Sequence, residues 1–243
     1  MTDWPATVVL VHGAWCGPWI YWKLGPALDK RGIPWVGADL PSCAATDPSV
    51  GPIDDVAHVR ELIDSVEGPV VVVGKSYGGA VITGACVGNA SVEHLLYLAA
   101  LMPEAGEAFH QTVFDAMQPA FAAGLTPLDD GRVAMDLEVG AALGFSAASE
   151  ADRDMWRHNA RPMSLGPNPA YSFDDVGWAH IDSTYIVCEH DNAIDPAAQR
   201  RWATRATHAI CRAFDHSPGV SDPEEVADLL AAVAHRRTPA GSD

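Results

Sequence analysis

The segment from Gly68 to Ala80 constrains the fold more than any other part of this sequence. It reads Gly-Pro-Val-Val-Val-Val-Gly-Lys-Ser-Tyr-Gly-Gly-Ala. Four consecutive valines after a proline predict a short strand that is buried on both faces, as in a parallel sheet. The strand is predicted to end at Gly74, and an apolar helix is predicted to follow through Val81 and Ile82.

The turn between these two elements carries a serine in a special setting. Gly74, Lys75, Ser76, Tyr77 and Gly78 match the pattern Gly-x-Ser-x-Gly. Small residues on either side allow a strained turn to hold the serine hydroxyl above the strand end, at the start of a helix, as in a nucleophile elbow. The pattern alone is common by chance, but here a strand precedes it and a helix follows it. The alternative is a glycine-rich turn whose serine has no function.

The rest of the sequence alternates apolar runs with amphipathic segments. Further strands are predicted at residues 6–11, 34–40, 92–100, 183–188 and 209–214, and helices at 21–31, 53–66, 196–207 and 223–235. This alternation predicts an α/β fold with a mostly parallel central sheet of about six strands and helices on both faces. Ligands of such sheets bind at the carboxyl ends of the strands.

One long segment, residues 101–182, interrupts this alternation. It is rich in Ala, Gly, Pro and Met, and helices are predicted near 107–123, 129–142 and 148–158. We interpret it as a helical cap inserted after the fourth strand, because it has too few aliphatic residues for a core of its own. The 243 residues then form one domain, 1–243, with a core of 1–100 and 183–243.

The composition argues against several classes of partner. A net charge of −17 repels phosphate backbones, which argues against nucleic acid, and no apolar stretch approaches the ~18 residues of a membrane span. Scattered cysteines and histidines predict neither disulfides nor a metal site, and no cofactor is expected. The first residues lack the basic segment of a secretory signal, so a cytoplasmic location is expected, and residues 236–243 are expected to fray. The sequence is compatible with a homodimer but leaves the oligomeric state open.

Chemically useful residues follow several of the predicted strands. Ser76, Asp191 and His216 occur in that chain order, each just after a strand. A serine hydroxyl is a poor nucleophile at neutral pH, so it needs an imidazole to accept its proton, and the imidazole needs a carboxylate to fix its tautomer. Attack on a carbonyl creates an oxyanion, which the backbone N–H groups of Ala14 and Tyr77 are placed to receive.

Taken together, these motifs resemble the α/β-hydrolases of the esterase and hydroxynitrile lyase group over nearly the whole chain. Residues 8–15 match the oxyanion loop of that group, 74–79 its elbow, 161–162 with Trp178 its cap, 185–194 its acid segment, and 216–218 with 221–226 its histidine segment. The resemblance implies that Ser76 is the nucleophile, His216 the base and Asp191 the acid.

Two positions depart from the pattern of that group. Lys75 stands where the esterases usually have histidine, and its charge is expected either to help hold an anionic substrate or to form a salt bridge. Ser217 stands where the plant lyases have a lysine directly after the catalytic histidine.

Other residues compete for the predicted roles. Asp195 precedes Pro196 and is typical of a helix N-cap, and Asp215 adjoins His216 and cannot easily fold back to support it. A histidine at position 12, in an oxyanion loop, more often braces that loop than acts as a base.

Aromatic residues of the loop and the cap are expected to wall an apolar pocket. Trp15, Trp19 and Trp178 are predicted to contact substrate together with Lys75, and Phe145 and Met163 are further candidates for the wall. Aromatic residues in a cap pack among themselves at least as often, so this alternative stays open.

The sequence therefore predicts a serine hydrolase that cleaves a small-to-medium, apolar carboxylic ester through an acyl-enzyme. A first alternative is carbon–carbon cleavage of a cyanohydrin, with Ser76 and His216 as acid and base, against which Ser217 counts. A second alternative is a binding protein that keeps the fold and uses the pocket without turnover.

Overall fold

Strands and helices alternate through the part of the chain that the computed structural model describes. This part comprises residues 5–114, 116–168 and 170–235, without the side chains of Phe109, His110 and Phe114. Its strands are β1 (Thr7–Val11), β2 (Trp35–Gly37), β3 (Val70–Lys75), β4 (Val92–Leu98), β5 (Leu125–Pro127), β6 (Val133–Met135), β7 (Ser183–Cys188) and β8 (His208–Arg212).

The α-helices are mostly short, and several begin with proline at their first position, where no N–H is needed. They are α1 (Leu24–Asp29), α2 (Pro41–Ala44), α3 (Pro52–Asp64), α4 (Tyr77–Ala85), α5 (Phe109–Phe114), α6 (Pro119–Ala122), α7 (Leu137–Val139), α8 (Glu150–Asn159), α9 (Pro196–Ala203), α10 (Pro218–Ser221) and α11 (Pro223–Ala234). Short 3-10 helices lie at Pro18–Tyr21 and Gly177–Ala179, and a π-helical turn at Gly140–Gly144 follows α7.

Six parallel strands form the central sheet, in the order β2-β1-β3-β4-β7-β8. The order reverses at β1, which has β2 on one side and β3 on the other. Val11 of β1 pairs with Gly74 of β3, so the carboxyl ends of these two strands lie side by side. This reversal creates the crevice in which parallel sheets bind ligands.

Alternating side chains of the buried strands supply the two halves of the core. Val71 and Val73 pack on the face that α1 and α11 cover, and Val70 and Val72 pack on the face that α3, α4 and α9 cover. All four valines are at most 3% exposed. The predicted α/β class, with a parallel sheet of six strands and helices on both faces, is confirmed.

The segment between β4 and β7 differs in part from its prediction. The helix predicted over 129–142 is wrong in its first half, because β5 and β6 form an antiparallel hairpin there. Gly131, at φ 85°, closes the hairpin, and a side chain disfavours that conformation. The helix predicted over 107–123 is interrupted as well, because Pro119 begins α6 and holds Gln118 extended.

Other boundaries differ by a few residues. The strand predicted over 34–40 is only β2, and the loop predicted after it contains α2. The expectations for the first four residues and for 236–243 lie outside the described residues, and the proposed division into a core and a cap stays a prediction. None of the helices formed by the described residues is long and apolar enough to cross a membrane.

Candidate active site

The turn after β3 holds Ser76 in a strained backbone conformation. Ser76 has φ 54° and ψ −123°, directly before the first residue of α4. A Cβ at Gly74 would lie 2.7 Å from the carbonyl oxygen of Gly78, and a Cβ at Gly78 would lie 2.4 Å from that of Val11. Both positions therefore require glycine, and the turn presents the Ser76 side chain at the end of the sheet.

The strain at Ser76 gives a measurable prediction. Glycine adopts φ 54° at no steric cost, whereas alanine is strained like serine. We expect Ser76→Gly to have a free energy of unfolding about 1 kcal/mol higher than Ser76→Ala, as measured by urea denaturation. Ser65, at φ −79°, provides the control, and there the alanine variant should be the more stable of the two. A Ser76→Ala protein more stable than Ser76→Gly would contradict the strain.

Ser76, His216 and Asp191 form a continuous chain of hydrogen bonds. His216 Nε2 lies 3.1 Å from Ser76 Oγ, and His216 Nδ1 lies 2.7 Å from Asp191 Oδ2. With the proton on Nδ1, the imidazole donates to Asp191 and accepts from the serine hydroxyl. The structure thus brings the three predicted residues together, from the ends of β3, β7 and β8, within proton-transfer distance.

Backbone and side-chain donors hold the Asp191 carboxylate in place. Its Oδ1 accepts from the N–H groups of Ala193 at 2.8 Å and Ile194 at 2.9 Å. Its Oδ2 also accepts from Gln199 Nε2 at 2.7 Å. These donors and His216 stabilise the charge of a carboxylate that is only 2% exposed.

The two rival acids have other partners. Asp195 caps α9, where its Oδ1 accepts from Ala197 N–H at 2.8 Å. Asp215 accepts from Ser217 N–H at 3.0 Å and, with its other oxygen, from Ala147 N–H at 2.9 Å. Asp215 therefore fastens the histidine loop to the segment between β4 and β7.

The environment of His216 favours its neutral form. Burial lowers the pKa of its imidazole below the ordinary value, the charge of Asp191 opposes this shift, and the charge of Lys75 adds to it. His216 is 4% exposed. A neutral imidazole beside a hydroxyl can accept the hydroxyl proton.

The loop after β1 brings backbone against Ser76. A Cβ at Gly13 would lie 3.0 Å from the Ser76 Cβ, which is tighter than most such contacts, so glycine lets the loop approach this closely. His12 braces the loop, because its Nδ1 donates to Gly13 O at 2.8 Å and its Nε2 accepts from Leu40 N–H at 3.1 Å. Burial lowers the pKa of His12 to about 4, in keeping with a neutral ring that has both nitrogens occupied.

Arg161 and Trp15 tie this loop to the segment above it. Arg161 Nη2 donates to Cys16 O at 2.9 Å, and the Arg161 N–H donates to Trp15 O at the same distance. Trp15, at φ 60°, donates from its indole nitrogen to Val133 O at 3.0 Å. These bonds fix the position of Ala14, which lies between His12 and Trp15 in the loop.

The side chain of Tyr77 is held on the opposite side of the turn from the candidate nucleophile's partner His216, by a bond to α3. Its hydroxyl donates to Asp55 Oδ2 at 2.5 Å, on the face covered by α3. The other oxygen of Asp55 accepts from Ser42 N–H at 2.8 Å. The Tyr77 N–H lies at the amino end of α4, where the helix dipole favours negative charge.

An apolar pocket of ≈ 770 Å³ opens beside Ser76. Ala14, Trp15 and Tyr77 border it near the serine, and aliphatic, aromatic and thioether side chains form the rest. Prominent among these are Val113, Met117, Phe121, Leu125, Met163 and Ile194. None of the described residues that line this pocket carries a charge.

A second, smaller pocket of ≈ 290 Å³ lies on the His216 side of Ser76, and we call it the small pocket. Lys75 and Cys16 line it together with His216. Gly140 and Gly144, which have no side chains, also line it. Phe145 belongs to this pocket, whereas Met163 belongs to the apolar pocket.

Two tryptophans that are predicted to contact substrate make other contacts in the protein. The Trp19 ring packs against Trp156, with ring centroids 6.4 Å apart, and the Trp178 indole donates to Pro103 O at 2.9 Å. Neither tryptophan is among the residues that line the two pockets at Ser76, and their contact with substrate stays a prediction. Lys75 lines the small pocket, and no salt bridge joins it to any of the described residues.

Gln199 is the supporting residue that sequence reasoning missed. Its side chain bridges Asp191, Ile194 O and the N–H of Cys188. It is fully buried on the face of α9 that also carries Ala198 and Trp202. A polar residue on the apolar face of an amphipathic helix was the signal that could have found it.

Comparison with known proteins identifies the family. A model of the alpha/beta hydrolase family matches residues 8–229, so the chain belongs to this family. Methylesterase 2 of Arabidopsis thaliana is 27% identical over 259 aligned residues, which cover 93% of this chain and 95% of that protein. The predicted resemblance to the esterases of the alpha/beta hydrolase family is confirmed.

Solved structures share the fold at low sequence identity. Polyneuridine aldehyde esterase superimposes with a TM-score of 0.82 at 20% identity, covering 94% of this chain and 99% of that one. A pyrethroid hydrolase from Sphingobium faniae superimposes with a TM-score of 0.81 at 22% identity, covering 94% and 97%.

Proposed function

We propose that this protein is a serine esterase that cleaves a small-to-medium, uncharged carboxylic ester through an acyl-enzyme on Ser76. The observation that carries the proposal is the hydrogen-bond chain from Ser76 through His216 to Asp191, placed at the mouth of an apolar pocket. Relatives named as esterases support ester hydrolysis in general. We keep a cytoplasmic location as part of this proposal.

The proposed reaction uses each residue of the chain in turn. His216 Nε2 accepts the proton of Ser76 Oγ as this oxygen attacks the ester carbonyl carbon. The resulting oxyanion accepts hydrogen bonds from the backbone N–H groups of Ala14 and Tyr77. Collapse breaks the bond to the alcohol oxygen, and His216 returns the proton to that oxygen. A water molecule, deprotonated by His216, then attacks the acyl carbon. The bond from the acyl carbon to Ser76 Oγ breaks, the acid leaves, and His216 returns the proton to Oγ.

The two pockets suggest how an ester lies across Ser76. The alcohol oxygen must come within reach of His216 Nε2, and the small pocket is the one that His216 lines. We therefore assign the alcohol to the small pocket and the acyl chain to the apolar pocket. An ester with an apolar acyl chain and a small alcohol matches this arrangement.

A series of p-nitrophenyl esters tests the assignment of the acyl chain. From acetate through butyrate to hexanoate, kcat/KM is expected to rise about fourfold per methylene, because each buried CH₂ contributes ~0.8 kcal/mol. The hemisuccinate ester, which carries a carboxylate at similar length, should react at least about tenfold more slowly than the butyrate, because no charged side chain compensates it. Equal rates for the two esters would contradict an apolar acyl pocket.

The pH dependence of hydrolysis tests the role of His216. Because burial lowers the pKa of this base, kcat/KM should rise with pH through a midpoint below that of an ordinary histidine and then level off. Lys75→Met removes a charge that also lowers this pKa, so the midpoint should move to higher pH. Lys30→Met removes an exposed lysine and serves as the control. A midpoint that stays in place or falls in Lys75→Met would contradict the coupling.

A further inference from the structure

A separate cavity lies behind the candidate active site, on the α1 and α10 side of the sheet. We call it the rear cavity. Leu10, Val73 and Leu98 form its apolar floor, on consecutive strands of the sheet. Lys75 belongs to both the small pocket and the rear cavity, so the lysine connects the two.

Three polar side chains in the wall of the rear cavity, those of Tyr21, Lys75 and Ser217, make no hydrogen bond to the described residues. The hydroxyls of Tyr21 and Ser217 are buried, with 6% and 2% of each residue exposed, and neither makes a hydrogen bond to the described residues. Lys75 is half-buried, and it has neither a hydrogen bond nor an ion pair within the described part of the chain. An unpaired buried hydroxyl costs about 1–3 kcal/mol. A hydrogen-bond acceptor held beside these hydroxyls removes that cost.

The charged groups around Lys75 do not fill this role. Burial lowers the pKa of the Lys75 ammonium, while Asp191 and Asp215 oppose that shift from a distance. Neither carboxylate lines the cavity, and the oxygens of both already accept several hydrogen bonds. His12 lines the cavity but has both ring nitrogens occupied.

The nearby thiols do not supply a negative charge either. Burial raises the pKa of Cys16 and Cys188, which favours their protonated forms. One ammonium and two hydroxyls, with no carboxylate among the described lining residues, make a wall suited to a negatively charged occupant.

We propose that the rear cavity binds a small monovalent anion, either chloride or a short carboxylate such as acetate, between Lys75 and the hydroxyls of Tyr21 and Ser217. The anion accepts hydrogen bonds from all three groups and neutralises the lysine. A bound anion weakens the electrostatic effect of the Lys75 charge on His216, so occupancy of the rear cavity changes the protonation of the candidate base. Anion binding itself does not depend on ester hydrolysis.

Chloride NMR on the full chain tests the site in solution. The ³⁵Cl line of sodium chloride is expected to broaden saturably with protein, at constant ionic strength held by sodium gluconate. Tyr21→Phe and Ser217→Ala each remove one oxygen and should weaken binding at least about threefold, and Lys75→Met should abolish it. Lys30→Met is the control for loss of one positive charge and should bind chloride like the unmodified protein. Broadening that is not saturable, or that persists in Lys75→Met, overturns the proposal.

Bromide soaking gives an independent result if Lys75→Met does not fold. An anomalous peak within hydrogen-bond distance of Lys75 Nζ and Tyr21 Oη, weaker in Tyr21→Phe crystals soaked at the same bromide concentration, supports the site. Density without anomalous signal means that water fills the cavity, and this overturns the proposal. Acetate that displaces chloride in solution identifies a site shared with carboxylates, and acetate without effect identifies a halide site. Either of these two results supports an anion site.

Discussion

Replacing Ser76 with alanine is expected to lower kcat for p-nitrophenyl butyrate by about 10⁴-fold or more. The variant loses the oxygen on which the acyl-enzyme is proposed to form, and in that account what remains is stabilisation of the oxyanion and substrate binding. Alanine and serine are equally strained at φ 54°, so the substitution does not change the conformational preference of the turn, and its backbone should stay the same. Stopped-flow absorbance at 405 nm measures both the steady state and the first turnover.

The Ser76→Ala experiment has a matched control in an exposed serine. Ser49 bonds only to the nearby Asp47, and its replacement by alanine should leave kcat unchanged. Thermal unfolding of both variants shows whether they are folded. A folded Ser76→Ala protein with more than about a tenth of the original kcat would contradict the proposed nucleophile.

Asp191→Asn is expected to lower kcat by about 10³- to 10⁴-fold. An asparagine in this position can donate a hydrogen bond to Nδ1, which favours the tautomer that has its proton on Nε2 and cannot accept one from the serine. The variant keeps the size of the side chain, so the bonds from Ala193 and Ile194 to Oδ1 can persist. Initial rates with the same substrate, at a pH above the acid limb, measure the loss.

The rival acids provide the controls for this prediction. Asp195→Asn should change kcat less than about threefold, because asparagine caps a helix nearly as well as aspartate. Asp215→Asn should lower stability more than activity, because Asp215 anchors the histidine loop through Ser217 and Ala147. A greater loss of kcat in Asp195→Asn or Asp215→Asn than in Asp191→Asn would contradict the assignment of the acid.

The central sheet and the grouping of the candidate site residues were predictable from the sequence. The strands are short apolar runs with polar or glycine-rich ends, and the carboxyl ends of parallel strands meet at one edge. Ser76, Asp191 and His216 could therefore be placed at the same edge before the structure was considered. The glycines on both sides of Ser76 predicted the tight turn that holds this serine, because such a turn leaves no space for side chains at these positions.

Features that depend on tertiary contacts were not predictable in this way. The β5–β6 hairpin has only three residues in each strand. Helical residues follow it directly, so the sequence pattern of β6 and these residues together predicted a single helix. The contacts that Trp19 and Trp178 make could not be predicted, because the identity of an aromatic residue does not say which way its ring points. The rear cavity combines Tyr21, Lys75 and Ser217 from distant parts of the chain, and their common location follows only from how α1 and α10 pack on the sheet.

The most direct test of the account is the stoichiometry of covalent labelling at Ser76. The protein is treated with a fluorophosphonate, and its intact mass is measured beside the pre-steady-state burst with p-nitrophenyl butyrate. The account predicts one phosphonyl group per chain and a burst of one p-nitrophenol per chain, with both lost in Ser76→Ala. A folded protein with neither adduct nor turnover would contradict the account and favour a binding protein that uses the pocket without catalysis.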